Sequence, residues 1–322
     1  MKFGLIGHPI AHSLSPALFK AGYEGRYPYE LIETADFEKA YQRFLDGYDG
    51  INVTAPFKEL AFAKADILSE ECQAVKATNL LVKTPEGIKA YNSDYLGVRM
   101  WLSEVAEGLK RTPPTPMEWA GSLKQSTGLF LNHSPIPAAR GVARFSSPLP
   151  SPTAVKVLIA GLGGAGKAAA AAAESLGMEV IRMNRTVRDD RTRPLSEFRE
   201  CFKDADIIIY NIPTAIQEMN ELTESDFTPG RPKFIMEANY KNPSFDEAFV
   251  KRMKEANPLA EYTGGRTWLL YQAVTGYEIF TGEMPDLKKM ADVFIRKYDY
   301  LAEFLGLARR KTLLNTKYYV IE

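Results

Sequence analysis

The chain has few of the residues from which metal centres and cross-linked scaffolds are built. Only two of its 322 residues are cysteine and only three are histidine. Cys72 and Cys201 stand far apart with no CxxC spacing, which argues against a disulfide framework and against a zinc site. His8, His12 and His133 are too scattered for a histidine-rich centre, so no metal is expected. A surplus of charge is missing as well, since 40 basic residues balance 40 acidic ones. A nucleic-acid binder needs a basic excess for its phosphate contacts. Long apolar runs are also absent. The longest candidate, residues 155–173, is interrupted by Lys156 and Lys167 and falls short of the roughly 18–20 clean apolar residues of a membrane span. The N-terminal stretch turns polar too soon for a signal peptide, which gives the expectation of a cytoplasmic protein. What is present is an ordinary soluble composition, 45% hydrophobic and 25% charged, long enough for two domains at roughly 150 residues each.

Two blocks of alternating strands and helices can be read along the chain. In the first, residues 2–6 form an apolar run, and Ser15-Pro16 fits an N-cap followed by the first position of a helix ending near Gly22. Residues 27–33 and 50–53 read as strands with a helix over 37–45 between them. Residues 79–83 and 88–91 flank the turn signal Pro85-Glu86-Gly87, and Asp94 can cap a helix through Leu109. Strands separated by helices predict an α/β domain with a largely parallel sheet. In the second block, strands are expected over 155–160, 179–183, 207–211 and 233–237. Ser244 and Glu247 fit a capping box for a helix through Ala256. Two more helices, 267–281 and 286–305, carry apolar residues at helical spacing, for example Met290, Val293, Phe294, Tyr298, Leu301 and Leu305.

Residues 110–153, between the blocks, are of another kind. They hold eight of the chain's 20 prolines and five basic residues (Lys110, Arg111, Lys124, Arg140, Arg144) against one acidic residue, Glu118. Proline at that density forbids a long helix or an interior strand. The segment reads as an irregular surface insertion, with a lid or partner-binding loop as the alternative.

Gly161-x-Gly163-x-x-Gly166 follows a predicted strand and opens a predicted helix, the context of a dinucleotide fingerprint. A side chain at Gly163 would keep a pyrophosphate away from the free N–H groups of the helix N-terminus. The cradle would be Gly161, Gly163, Gly164 and Ala165. An NAD site usually places a carboxylate at the end of the next strand. Here that strand ends in Asn184-Arg185-Thr186, with Arg188 behind, so no carboxylate repels a 2′-phosphate and a guanidinium can pair with it. The expected cofactor is NADP. A solvated basic turn, partly neutralised by Asp189 and Asp190, is the bland alternative.

Hydride transfer to a ketone needs a proton donor near the reacting oxygen. In Asn52-Val53-Thr54-Ala55-Pro56-Phe57-Lys58 a strand ends, a proline starts a helix, and Lys58 falls in its first turn. Helix dipoles favour cations at the opposite end, so a structural lysine there is unusual, although on this motif alone a solvated surface lysine is the prevailing reading over a catalytic one. Asp94 could equally be a plain N-cap.

Gly7-His8-Pro9-Ile10-Ala11-His12-Ser13-Leu14-Ser15-Pro16 resembles the N-terminal signature of the shikimate dehydrogenases, and residues 52–58 resemble that family's catalytic-lysine motif. Ala77-Thr78-Asn79, Asn92-Ser93-Asp94-Tyr95-Leu96-Gly97, the glycine loop, Asn184-Arg185-Thr186 and Gly264-Gly265…Gln272-Ala273 fall in the family's order. The resemblance covers about residues 1–109 and 154–308. It implies reversible NADPH-dependent reduction of 3-dehydroshikimate to shikimate, a step toward the aromatic amino acids. It also implies two α/β domains, a substrate domain and a Rossmann-like, doubly wound NADP domain, with an interdomain cleft. The boundaries would be 1–109 completed by helices 267–308, the insertion 110–153, the NADP domain 154–266, and a tail 309–322.

By the family pattern, Lys58 and Asp94 form a catalytic dyad and Ser13 and Ser15 bind the substrate carboxylate. Thr54, Asn79 and Gln272 hold ring hydroxyls and the reacting oxygen. Tyr240 matches a substrate-side tyrosine, and Gly265 a backbone contact to the nicotinamide. Gly161, Gly163, Gly164, Ala165, Asn184, Arg185, Thr186 and Arg188 complete the cofactor set. Partners are expected to be small molecules only, with the protein a monomer or homodimer.

Several positions depart from the family. Ser93 stands where threonine is common, Tyr95 where glycine is common, and Ala55 for valine. Arg188 comes one residue early, and Pro213, in Asn211-Ile212-Pro213-Thr214, removes an N–H near the cofactor. Two alternatives remain open: a quinate/shikimate-type dehydrogenase of broader range, and an NADPH-binding regulatory homologue without catalysis.

Overall fold

The computed structural model describes residues 1–110 and 155–294. The proline-rich insertion, the tail and the end of the predicted helix 286–305 lie outside the described residues. The chain divides into two units: Met1–Gly97 with the described residues from Leu270 onward, and Val98–Leu269.

The first unit holds a six-stranded sheet in the order β2-β1-β3-β5-β6-β4. Its strands are β1 (Phe3–Gly7), β2 (Tyr29–Glu33), β3 (Gly50–Val53), β4 (Ile67–Leu68), β5 (Leu80–Thr84) and β6 (Gly87–Tyr91). Four helices intervene, α1 (Ser15–Gly22), α2 (Phe37–Gly47), α3 (Lys58–Ala63) and α4 (Glu70–Val75), and α5 (Ser93–Lys110) follows. All five residues of β1 are buried, the mark of a strand covered on both faces. On one side Ile6 and Ile51 pack with Phe37, Phe44 and Phe57. α2 reaches that core because Phe37, Ala40, Tyr41 and Phe44 share one helical face, and Asp36 caps it by accepting from Lys39 N at 3.1 Å. Phe3 points the other way along the pleat, where its ring stacks on Phe280 at 4.8 Å.

The second unit holds six parallel strands in the order β12-β11-β10-β7-β8-β9. These are β7 (Lys156–Ala160), β8 (Glu179–Met183), β9 (Thr192–Arg193), β10 (Ile207–Tyr210), β11 (Lys233–Glu237) and β12 (Ala260–Thr263). The helices are α6 (Gly164–Ser175), α7 (Phe198–Asp204), α8 (Glu247–Ala256) and α9 (Gly265–Thr281), the last running on into the first unit. The chain winds outward from β7 in both directions, so the order reverses between β7 and β10. Ligands of open α/β sheets bind outside the carboxyl ends of the strands at such a switch point. Lys233, the first residue of β11, is buried at 2% exposure. Its ammonium donates to the carbonyls of Phe202 at 2.6 Å and Ala205 at 2.5 Å, capping the C-terminus of α7 as the helix dipole favours.

The structure corrects several local expectations. The first sheet is mixed: β5 runs antiparallel to β3 and to β6. The two-residue turn between Thr84 and Gly87 forces the β5–β6 pairing, because so short a loop joins only antiparallel neighbours. Ser15 is not the N-cap of α1; it is the first helical residue, behind Leu14, which offers no side-chain bond. Pro56 does not start a helix, because Phe57 N closes a turn onto Thr54 O at 2.9 Å and α3 begins at Lys58. The predicted capping box at Ser244 and Glu247 is replaced by Asp246, which accepts from Phe249 N at 2.7 Å. Among the described residues no helix is long and apolar enough to cross a membrane, and no group of acidic, histidine or cysteine side chains could hold a metal ion.

Candidate active site

Lys58 and Asp94 meet although 36 residues separate them. Lys58 is the first residue of α3 and Asp94 the second of α5. Lys58 Nζ donates to Asp94 Oδ2 at 2.6 Å, with side-chain exposures of 24% and 8%. Asp94 is therefore not the cap of α5. That role falls to Asn92, whose Oδ1 accepts from Tyr95 N at 3.0 Å while its Nδ2 donates to Ala77 O at 2.9 Å. The helix end is thus satisfied by its neighbour, and the Asp94 carboxylate accepts from the lysine.

Asn79 stands beside this pair at the start of β5. Its Oδ1 accepts from Ser93 N at 2.7 Å and from Ser93 Oγ at 3.2 Å, and its Nδ2 donates to Gln272 Oε1 at 3.4 Å. Gln272 comes from α9, so a late helix of the chain closes a site built on the first strands. Ser13 Oγ donates to Ser15 Oγ at 3.2 Å and accepts from Ser15 N at the same distance. Thr54 lies at the end of β3 and accepts the turn bond from Phe57. Ser13, Ser15, Thr54, Lys58, Asn79, Asp94 and Gln272 all belong to the first unit.

Three residues here were missed in the sequence. Tyr29 donates to Asn52 Oδ1 at 2.7 Å, and Tyr277 donates to Ser15 O at 3.1 Å. Burial pushes the pKa of both hydroxyls well up and keeps them neutral donors. Ser93 joins Asn79 to the start of α5. Its place next to Asp94 was the available signal; the tyrosines had none, since their rings read as core.

Tyr240 and Gly265 belong to the second unit. The carboxylate of Glu237, fully buried at the end of β11, accepts from Ser244 N at 2.6 Å and Tyr262 Oη at 2.8 Å, holding the turn that carries Tyr240. A Cβ at Gly265 would lie 2.5 Å from Ala238 O and 2.7 Å from Tyr240 N. Glycine at 265 thus permits the close approach of that same turn.

The glycine loop fits a dinucleotide on three counts. Gly161 has φ +90°, a backbone state that favours glycine. A Cβ at Gly166 would fall 1.8 Å from Gly161 O, so only glycine lets α6 close against the loop. At Gly163, the N-cap of α6, a Cβ would meet nothing within 4 Å. Its openness leaves room for a ligand before the first N–H groups of α6, those of Gly164 and Ala165. Asn184 Oδ1 accepts from Leu162 N at 3.4 Å and its Nδ2 donates to Thr186 O at 3.3 Å, so the end of β8 braces the loop. Arg185, Thr186 and Arg188 are exposed. Asp189, beside them, is itself engaged within the turn: its Oδ1 accepts from Thr192 Oγ1 at 2.7 Å and Arg191 N at 3.1 Å. The Thr192 bond holds its carboxyl below the usual range.

Residues 5–81 match the model of the shikimate dehydrogenase substrate binding domain. Residues 140–235 match the NAD binding domain of the D-isomer specific 2-hydroxyacid dehydrogenases. Fold, loop and these two matches define the class, a two-unit α/β dehydrogenase. Shikimate dehydrogenase (NADP(+)) of Acinetobacter baumannii strain AYE is 30% identical over 295 residues, 89% of this chain and 98% of that protein. The Carboxydothermus hydrogenoformans enzyme of the same name is 26% identical over 310 residues, covering 89% and 94%. The chain belongs to the shikimate dehydrogenase family. Solved structures share the fold. Shikimate 5-dehydrogenase of Thermus thermophilus, in complex with NADP(H) and shikimate, has a TM-score of 0.63 at 24% identity over 92% of this chain and 99% of that one. Quinate dehydrogenase of Corynebacterium glutamicum, in complex with NAD, has a TM-score of 0.66 at 20% identity with the same coverage.

Proposed function

We propose that the protein catalyses the reversible NADPH-dependent reduction of 3-dehydroshikimate to shikimate. The observation that carries this reading is the Lys58–Asp94 pair, 2.6 Å apart and next in sequence to the Asn79–Ser93–Gln272 cluster. NADPH supplies the hydride. As the carbonyl becomes an alkoxide, the Lys58 ammonium stabilises the growing charge and donates a proton to that oxygen. Asp94 orients the ammonium by accepting a hydrogen bond from it. In the reverse direction, neutral Lys58 removes the hydroxyl proton. Asn79, Gln272 and Thr54 hold ring hydroxyls and the reacting oxygen, and the Ser13–Ser15 pair holds the carboxylate. Tyr240 serves as the substrate-side tyrosine. Gly161, Gly163, Gly164 and Ala165 take the pyrophosphate on the α6 N-terminus. Asn184, Arg185, Thr186 and Arg188 take the adenosine phosphate, and the Gly265 backbone meets the nicotinamide.

The test follows NADPH absorbance with shikimate and quinate, each with NADP and NAD, on wild type and Lys58→Ala. Wild type should turn over shikimate with NADP, and Lys58→Ala should lose roughly 10²–10⁴ in kcat while still binding shikimate. A wild type that binds NADPH but turns over neither acid sinks the reading.

A further inference from the structure

Tyr277 is 2% exposed. Its ring packs edge-on against Phe19 at 4.8 Å and Tyr29 at 6.0 Å, a role that phenylalanine would fill equally well. The oxygen is therefore what needs a reason, because a buried hydroxyl costs stability unless it is bonded. It is bonded across 262 residues of sequence to Ser15 O at 3.1 Å, and the Ser15 side chain also bonds to it. Ser15 opens α1, a helix whose N-cap, Leu14, gives no side-chain bond. Local support comes from Ser13 Oγ, which accepts from Ser15 N at 3.2 Å. Long-range tethers on Ser15 come from Tyr277 and from Tyr29, whose hydroxyl also meets the Ser15 side chain; of the two, Tyr277 is the one that holds the Ser15 backbone. Gln272, on the same helix α9, accepts from Asn79 and Ser93. A single rigid helix thus fixes both the serine pair and the Asn79 cluster, and sets the spacing between them.

We propose that Tyr277 is a positioning residue for anion recognition: its hydroxyl holds Ser15 so that the Ser13–Ser15 pair meets the substrate carboxylate. This role rests on the reading of those serines as the carboxylate site. Substituting Tyr277→Phe keeps the ring and removes one oxygen. Steady-state kinetics and equilibrium binding would be measured with shikimate and with its analogue lacking the carboxylate, on wild type, Tyr277→Phe and Ser15→Ala. Tyr277→Phe should raise KM and Kd for shikimate about fivefold, the worth of one hydrogen bond, with kcat within about twofold. Binding of the analogue should not change. An unchanged KM for shikimate, beside weakened binding in Ser15→Ala, overturns this role alone. Equal losses with acid and analogue overturn it too, since they report general packing. Unchanged shikimate binding in Ser15→Ala overturns the serine assignment and this role with it.

Discussion

Gly163→Ala separates the cofactor site from the fold that carries it. Gly163 has φ −69° and ψ −170°, an extended conformation open to any L-residue, and an added Cβ meets nothing within 4 Å. The methyl group narrows the unfolded ensemble, worth about 0.4–1 kcal/mol in favour of the fold. Alanine is also a poorer N-cap than glycine, by a similar amount. The two nearly cancel, so stability should stay within about 1 kcal/mol of wild type. The same methyl intrudes where a pyrophosphate must approach the α6 N–H groups. Losing one charge-assisted hydrogen bond costs roughly 1.5–3 kcal/mol, or about 10- to 100-fold in Kd. Fluorescence titration with NADPH measures the affinity, and thermal unfolding without ligand measures the stability. Gly166→Ala is the contrasting control. Its methyl falls 1.8 Å from Gly161 O, so α6 must shift, and overpacking of that kind costs about 1–3 kcal/mol. Gly163→Ala with wild-type NADPH affinity would refute the reasoning.

Other substitutions probe other parts. Arg185→Ala should erode the preference for NADP over NAD, read as the ratio of kcat/KM values. An unchanged ratio sinks the assignment of that guanidinium to the 2′-phosphate. Lys233→Ala strips the α7 carbonyls of their donor and opens a cavity, and should cost about 3 kcal/mol in denaturant unfolding. Lys233 also predicts a pH effect. Burial pushes its ammonium down to about 8, below the ordinary lysine value near 10.4. Between these limits the unfolded chain binds the extra proton, so wild-type stability should gain on Lys233→Met as pH rises from about 8 toward 10, by on the order of 1 kcal/mol per pH unit. A constant difference between the two proteins across that window would remove Lys233 as the titrating group.

The strands β3, β8 and β11 were read at their observed bounds, and the glycine loop declared itself by its place between strand and helix. The short elements did not. The two-residue strands β4 and β9 carry no period, and α4 and α7 span too few turns to expose a stripe. The antiparallel hairpin was announced by Pro85-Glu86-Gly87, but a rule of strands alternating with helices outweighed a turn of two residues. Caps were misjudged for one reason. Ser15, Asp94 and Ser244 each had a neighbour able to occupy or do without the capping position, and side-chain competition within one turn cannot be ranked from residue type. Lys58 and Asp94 were recognised through motifs, since no spacing rule brings together residues from two different helix starts. The hydroxyls of Tyr29 and Tyr277 stayed hidden because aromatic residues at core spacing advertise only their rings.

The substrate unit is interrupted in sequence, and this has a consequence for its birth on the ribosome. Translation at roughly 5–20 residues per second sets on the order of 10 to 50 s between Ser15 and Tyr277, which lie 262 residues apart. Throughout that interval Phe3, Phe19 and Tyr29 lack the Tyr277 and Phe280 rings that later cover them. Meanwhile the parallel sheet of the second unit can complete itself, because its strands are contiguous. The unit begun first is thus finished last. Its nascent aromatic face is the surface on which a chaperone, or aggregation, has the longest opportunity to act.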